Sequence, residues 1–308
     1  MSKAGKILGV EPSFVIAGGE VAVACDGFRA EHGADHKVFV GGAECRVTGA
    51  STSRVLVRTP NDAEEGLTRI GFELNGQRSE LFPITTGKLL TDGMHIVANP
   101  AVDPSDDALV LTRSGSRGQH LEATLFRLEP DGYLDEMPEA ILNPTGVAFD
   151  SAGQMFVTNR AQGEVYAVGR DGGTSVFATG LGIATGIAFD ADGVMHVGDR
   201  MGTIWRVHDV GDAEPFATLD ASVAAFHLAF GPDGHLYVTA PGLASQDGVW
   251  AINKRGEVSE FFRGFGRPQG LAFDRSGNLY VAACYRGRHG IARIKPDGGS
   301  CEQFVAGD

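Results

Sequence analysis

Apolar and polar positions alternate at every second residue in short runs along most of the chain, the period of half-buried strands. No helix-length stretch with a 3.6-residue period competes. Four segments align without gaps: NPTGVAFDSAGQMFVTN (143–159), ATGIAFDADGVMHVGD (184–199), AFHLAFGPDGHLYVTA (225–240) and RPQGLAFDRSGNLYVAA (267–283). A weaker copy, ANPAVDPSDDALVLTR (98–113), precedes them. Each opens on an apolar GxAF-like run, breaks at a turn of Gly, Asp, Ser or Pro, and resumes with an alternating strand such as Met155-Phe-Val or Leu279-Tyr-Val. A third strand follows in each copy (TLFRL, EVYAV, TIWRV, GVWAI, GIARI, starting at 124, 164, 203, 248 and 290). Turns such as Pro130-Asp-Gly, Arg170-Asp-Gly-Gly and Pro296-Asp-Gly then lead into a fourth, as in SVFATG and SEFFRG.

The phenylalanine closing the first strand recurs at 149, 189, 230 and 273, spacings of 40, 41 and 43 residues. A four-stranded unit of that length is a blade of a β-propeller and is too long for a leucine-rich repeat. Residues 87–308 therefore read as a propeller with repeats near 98–142, 143–182, 183–222, 223–266 and 267–308. Lys88-Leu-Leu-Thr-Asp-Gly aligns with a fourth strand whose three partners are missing. This points to a six-bladed design whose last blade is incomplete or closed by the N-terminal strand, with five blades as the alternative. Residues 1–86 lack the repeat, and their runs (KVFVGGAECRV, SRVLVRTPNDAEEG, TRIGFELNG) alternate like the strands of a sandwich. The fold class expected is all-β.

Glycine, at 44 of 308 residues, is about twice its average usage and suits a chain of many tight turns. A net charge of −13 with no Lys/Arg block argues against nucleic acid or an anionic membrane as partner. The N-terminus has no apolar run of secretory length and nothing approaches a membrane span, so a cytoplasmic location is expected. Cys25, Cys45, Cys284 and Cys301 offer no zinc spacing; Cys25 and Cys45 could pair under oxidation, though free core thiols are favoured.

In an antiparallel four-stranded unit, the turns after the first and third strands share one end, and the other connections share the opposite end. The first end holds nearly all the short Gly/Asp turns. The second holds the longer segments 113–122, 240–247 and 283–289, and variable loops on a rigid scaffold are where function gathers. His227 stands out there, because it replaces the glycine found at 146, 186 and 270. Arg113, Asn159 and Asp199 align at the ends of second strands, with Arg160 and Arg200 beside two of them. His95, Asn99, Asn143, Thr145, Thr185, Gln269 and Tyr285 should approach the same mouth. Such a mixture of acceptors and cations suits a small polar organic ligand. His196 occupies the position of Phe156, Tyr237 and Tyr280 and reads as a packed aromatic. The calcium-loop, dinucleotide-binding, nucleophile-elbow and HExxH readings all fail.

Segment 1–86 resembles the immunoglobulin-like IPT/TIG domain through Pro12, Gly18-Gly19, Gly27-Phe28, Val40-Gly-Gly and Thr59-Pro60 before Glu65-Gly66, which implies a binding or spacer module open to a protein partner. From about residue 88 the chain is similar to NHL-repeat propellers and to the senescence marker protein/gluconolactonase family, most sharply over 267–285. The second resemblance implies a six-bladed propeller that opens sugar lactones with one divalent metal ion held by Asp and Asn before the strand glycine. At those positions this chain has Thr145, Thr185, Phe226 and Gln269, so the usual carboxylate is absent and the metal is unknown. Two functions follow. The first is hydrolysis of a lactone or related ester, with His227 as general base or metal ligand, Asp199 orienting it, and arginines binding a substrate carboxylate or phosphate. The second is a non-catalytic scaffold for a protein, glycan or small ligand.

Overall fold

The computed structural model describes residues 4–28, 36–92, 94, 100–115 and 119–307, and among these every regular element is a β-strand. The chain divides into two compact units: Met1–Leu89 with Ala282–Ile294 and Ser300–Asp308, and Leu90–Val281 with Lys295–Gly299.

In the first unit, Lys6–Glu11, Glu20–Asp26 and Arg54–Arg58 pair antiparallel. His36–Val40, Gly66–Leu74 and Phe82–Thr86 form a second antiparallel group. Ala43–Ala50 joins both, through Cys45 opposite Val38 and Val47 opposite Val57. Alternating residues of the two groups, among them Val21, Val23, Val38, Val57, Ile70 and Phe72, share one buried core. Cys25 and Cys45 lie in that core as free thiols. Phe14–Val15 pairs in parallel with Phe82–Thr86 on one side and with Cys301–Ala306 on the other. Gly19 permits this join, since a Cβ there would lie 2.6 Å from the Ala306 carbonyl oxygen. Lys88–Asp92, expected as an orphan fourth strand, carries no strand. Its Leu89 N–H instead meets Glu65 Oε1 at 3.3 Å, and the edge of Cys301–Ala306 is taken by Phe14–Val15.

The second unit is built from the repeats. Pro144–Phe149, Met155–Asn159, Glu164–Val168 and Thr174–Ala178 form one antiparallel four-stranded sheet. Ala184–Phe189, Met195–Asp199, Thr203–Asp209 and Asp212–Thr218 form the next. Ala101–Val102, Leu109–Thr112, Leu125–Leu128 and Leu134–Glu136 make the sheet before them. His227–Phe230, Leu236–Thr239, Asp247–Ile252 and Val258–Gly266 pair in the same order. The strands within each repeat are called a to d in chain order. Turns between a and b are clamped by one aspartate: Asp150 Oδ1 accepts from Ala152 and Gln154 N–H, and Asp190 and Asp274 do the same for their own turns.

Two contacts join successive repeats. Away from strand a, the middle of strand b carries a ring wedged between phenylalanines of its own strand d and of the next strand a. Phe156 sits 5.0 Å from Phe177 and 5.3 Å from Phe189, and Tyr237 sits 4.9 Å from Phe261 and 4.8 Å from Phe273. His196 takes the same place, 5.0 Å from both Phe216 and Phe230, as a packed aromatic. Each such ring pair contributes about 1 kcal/mol beyond its burial. At strand a the seam is closer. A Cβ on Gly146 would lie 2.5 Å from the Thr185 carbonyl oxygen, and one on Gly186 would lie 2.6 Å from that of Phe226. Strand-b threonines tie the same seams: Thr112, Thr158 and Thr239 donate to the carbonyls of Thr145, Thr185 and Gln269 at 3.2, 2.8 and 2.6 Å.

Candidate functional site

Strand register sets the rim. Pro144 lies opposite Asn159, Ala184 opposite Asp199 and His227 opposite Thr239, so the start of each strand a meets the end of its strand b. The polar residues expected there divide into three groups.

Some brace loops. Asp199, 5% exposed, accepts the N–H of Ile183 at 2.8 Å and of Met201 at 2.9 Å on one oxygen. Its Oδ1 is thus occupied with main chain. Asn159 Oδ1 caps Ala161 and Gln162, while its amide donates to Gln162 Oε1 at 2.6 Å. Arg200 donates to the carbonyls of Ser222 (3.0 Å) and Val223 (2.8 Å) and fixes the connection into the next repeat. Thr185 donates to Gly198 O and accepts from Phe226 N–H, a second tie across a seam. Sequence offered a signal for these roles, since Asx residues closing a strand before a short loop commonly cap N–H groups two residues on.

A second group keeps unspent polar atoms. Ser114 donates to Pro144 O at 2.6 Å and Thr112 to Thr145 O, so the half-buried Arg113 is held beside the start of the neighbouring strand a. Asn143 Oδ1 and Thr145 Oγ1 are buried without a hydrogen-bond partner among the described residues. Asn143 takes a left-handed φ of 47°, and its carbonyl accepts the N–H of the half-buried Arg160 at 3.4 Å. Buried oxygens left unpaired cost free energy, which a donor from a ligand or water recovers.

The third group is a pair. His227 is 4% exposed, and its Nε2 lies 3.3 Å from Oε1 of Gln269, whose own side chain reaches solvent. Burial lowers the imidazole pKa to about 4, only partly offset by the hydrogen bond that Nε2–H donates to Gln269 Oε1, so the ring is uncharged at neutral pH. Tyr285 belongs to the first unit, where its hydroxyl donates to Cys301 O at 3.1 Å and Arg286 lies 5.0 Å over its ring. His95 and Asn99 lie outside the described residues. No three His, Cys, Asp or Glu side chains among the described residues are grouped to hold a metal ion.

Two outcomes follow. Asp199→Ala should lower unfolding free energy by about 2 kcal/mol in urea titrations, while Asp199→Asn, which keeps an acceptor, should cost about 1 kcal/mol or less. The His227 term is fully present above the ordinary histidine pKa of 6.5 and is lost as pH falls toward 4, because the unfolded chain takes up its proton first. Urea unfolding across that window should therefore show a decline that is smaller by up to about 3 kcal/mol in His227→Gln.

No protein-family model matches the chain, and no curated protein matches it. Solved structures do. A gluconolactonase from Xanthomonas campestris superposes with a TM-score of 0.57 at 19% identity, covering 68% of this chain and 75% of that one. A catalytically inactive virginiamycin B lyase from Staphylococcus aureus, solved with quinupristin, gives 0.53 at 15% identity over 88% and 89%. An auxiliary nutrient binding protein from Bacteroides thetaiotaomicron gives 0.52 at 15% identity over 96% and 84%. At these identities the likeness is one of fold: the repeats build a β-propeller of the kind seen in gluconolactonase-like and virginiamycin B lyase structures.

Proposed function

We propose that the propeller binds a small polar organic molecule at the rim where strands a begin, between His227–Gln269 and the Arg113–Asn143–Thr145 group. The carrying observation is His227 itself. At the equivalent positions 146 and 186 glycine is demanded by the next repeat's carbonyl, yet here a buried imidazole fills the place and reaches Gln269. Replacing a sterically required glycine with a desolvated polar ring sacrifices local consistency, and such departures concentrate at functional sites. The unpaired oxygens of Asn143 and Thr145 supply acceptors, and Arg113 and Arg160 suit a carboxylate or phosphate. The fold relative described as an auxiliary nutrient binding protein supports a binding role.

Hydrolysis of a lactone or related ester is the second reading, favoured by the uncharged state of His227, which leaves it able to accept a proton. Metal-assisted chemistry does not fit these residues. The positions before the strand glycine carry Thr145, Thr185, Phe226 and Gln269, and Thr185 is already spent on Gly198 and Phe226. The described residues supply strands for five repeats, Lys88–Asp92 adding none, and we read residues 1–86 as an IPT/TIG-like module for a protein partner.

The test is a panel of sugar lactones, aryl esters and hydroxy acids, assayed for turnover and by calorimetry with wild-type protein, His227→Ala and Gln269→Ala. Binding or turnover that falls about tenfold or more in His227→Ala, with unfolding still cooperative, is expected. A wild-type protein that neither binds nor turns over any panel member would contradict the proposal.

A further inference from the structure

A second place in the propeller departs from its own repeat. Where Tyr237 and Tyr280 occupy the strand-b wedge, their hydroxyls donate to Asp233 Oδ2 and Asp274 Oδ2 at 2.9 and 3.1 Å, closing the end of the seam beside the a–b turn. His196 holds the equivalent position between Phe216 and Phe230, but an imidazole is shorter than a phenol. The side chain of Asp190, at the place of Asp274, accepts the N–H groups of Asp192 and Val194 in its own turn and, among the described residues, no hydroxyl. A cleft of about 430 Å³ opens here, lined by His196, Arg206, His208, Phe216, Phe230 and Lys254 among others. It lies at the a–b and c–d turns, the end of the blade opposite His227.

The chemistry of the lining is specific. His196 is 1% exposed, and its Nδ1 lies 3.2 Å from the Val194 carbonyl, so the proton is assigned to Nδ1. Nε2 then keeps a lone pair with no hydrogen-bond partner among the described residues. Burial holds the ring uncharged, with its pKa near 4. Two phenylalanine rings flank it. At the mouth, the Arg206 guanidinium lies 4.1 Å over the Phe216 ring, 3.7 Å from Glu214, and Lys254 adds a second cation.

We propose that this cleft is a binding site, separate from the rim, for a small hydroxylated aromatic carboxylate. The ligand ring takes the space that the outer part of a tyrosine fills in the sister repeats. Its hydroxyl donates to His196 Nε2, and its carboxylate meets Arg206 and Lys254. A neutral acceptor at the floor, aromatic walls and cations at the mouth match those three parts in order.

The probe is 4-hydroxybenzoate, titrated into the full chain labelled with ¹⁵N, with benzoate and phenol as controls. Saturable amide shifts centred on residues 190–196, 206–208, 230–234 and 252–254 are expected, with benzoate and phenol each binding about fivefold more weakly. His196→Tyr supplies the residue that two sister repeats already carry, so it should fold and fill the cleft, lowering affinity about tenfold or more. Arg206→Gln gives an independent reading, with a comparable loss. Shifts that fail to saturate, that map instead to 143–145, 227 and 269, or that persist unchanged in His196→Tyr or Arg206→Gln would overturn the proposal. Because the cleft and the rim are read from different amides, failure here leaves the rim untouched.

Discussion

A recurring constraint in the propeller is the approach of neighbouring strands a, so tight that at Gly146 and Gly186 a single added carbon would press on the next repeat's carbonyl oxygen. Threonine hydroxyls at 112, 158 and 239 bond to the carbonyls of Thr145, Thr185 and Gln269, which hold the same place in their repeats, and turn the approach into a repeated tie. Buried backbone carbonyls need partners, so tie and approach reinforce one another. Along such seams there is little space for chemistry. His227 is notable because it sits on one of them: Thr239 still ties to Gln269, yet the glycine is gone and the extra volume is an imidazole.

Farther along strand b the repeats are held apart by a ring and not by a glycine. The wedge residue touches two phenylalanines, one from its own strand d and one from the following strand a, so its size governs the width of the seam. Val110 aligns with that position in the first repeat, and a cleft of about 460 Å³ lies against it, filled in part by Arg127 with Asp103 and Asp106. His196 leaves the second cleft. One scaffold thus makes two kinds of opening: a polar one where a required glycine is lost, and a half-apolar one where a wedge is cut short.

Much of this was legible in the residues. The phase of the repeats followed from Phe149, Phe189, Phe230 and Phe273, because a wedge must recur once per unit, and the Asp-Gly turns marked the strand ends. The exceptional status of His227 was legible for the same reason, as a break in a repeating glycine. What each rim residue does was less so. Asp199, Asn159 and Arg200 looked like ligands by alignment, but their hydrogen bonds go largely to main-chain groups of the loops before and after them, and alignment carries no information on which partner a side chain meets. Lys88–Asp92 misled because a short apolar-polar run matches any strand, while its true partner, Glu65, is 24 positions away. That the Asp190 carboxylate lacks a tyrosine hydroxyl is a property of the packed wedge, where Tyr237 and Tyr280 reach their own turn aspartates, and not of the linear repeat.

A crystal structure of the His227→Gly variant tests the central claim most directly, since it restores the residue that the sister repeats carry at the seam. The account predicts a folded propeller in which His227 is dispensable to the architecture: the Thr239–Gln269 tie kept, strands 227–230 and 271–273 in place or drawn closer, and the rim otherwise unchanged. Loss of cooperative folding, or separation of those strands, would show that the imidazole is a packing element of the seam, and the site built around it would fall.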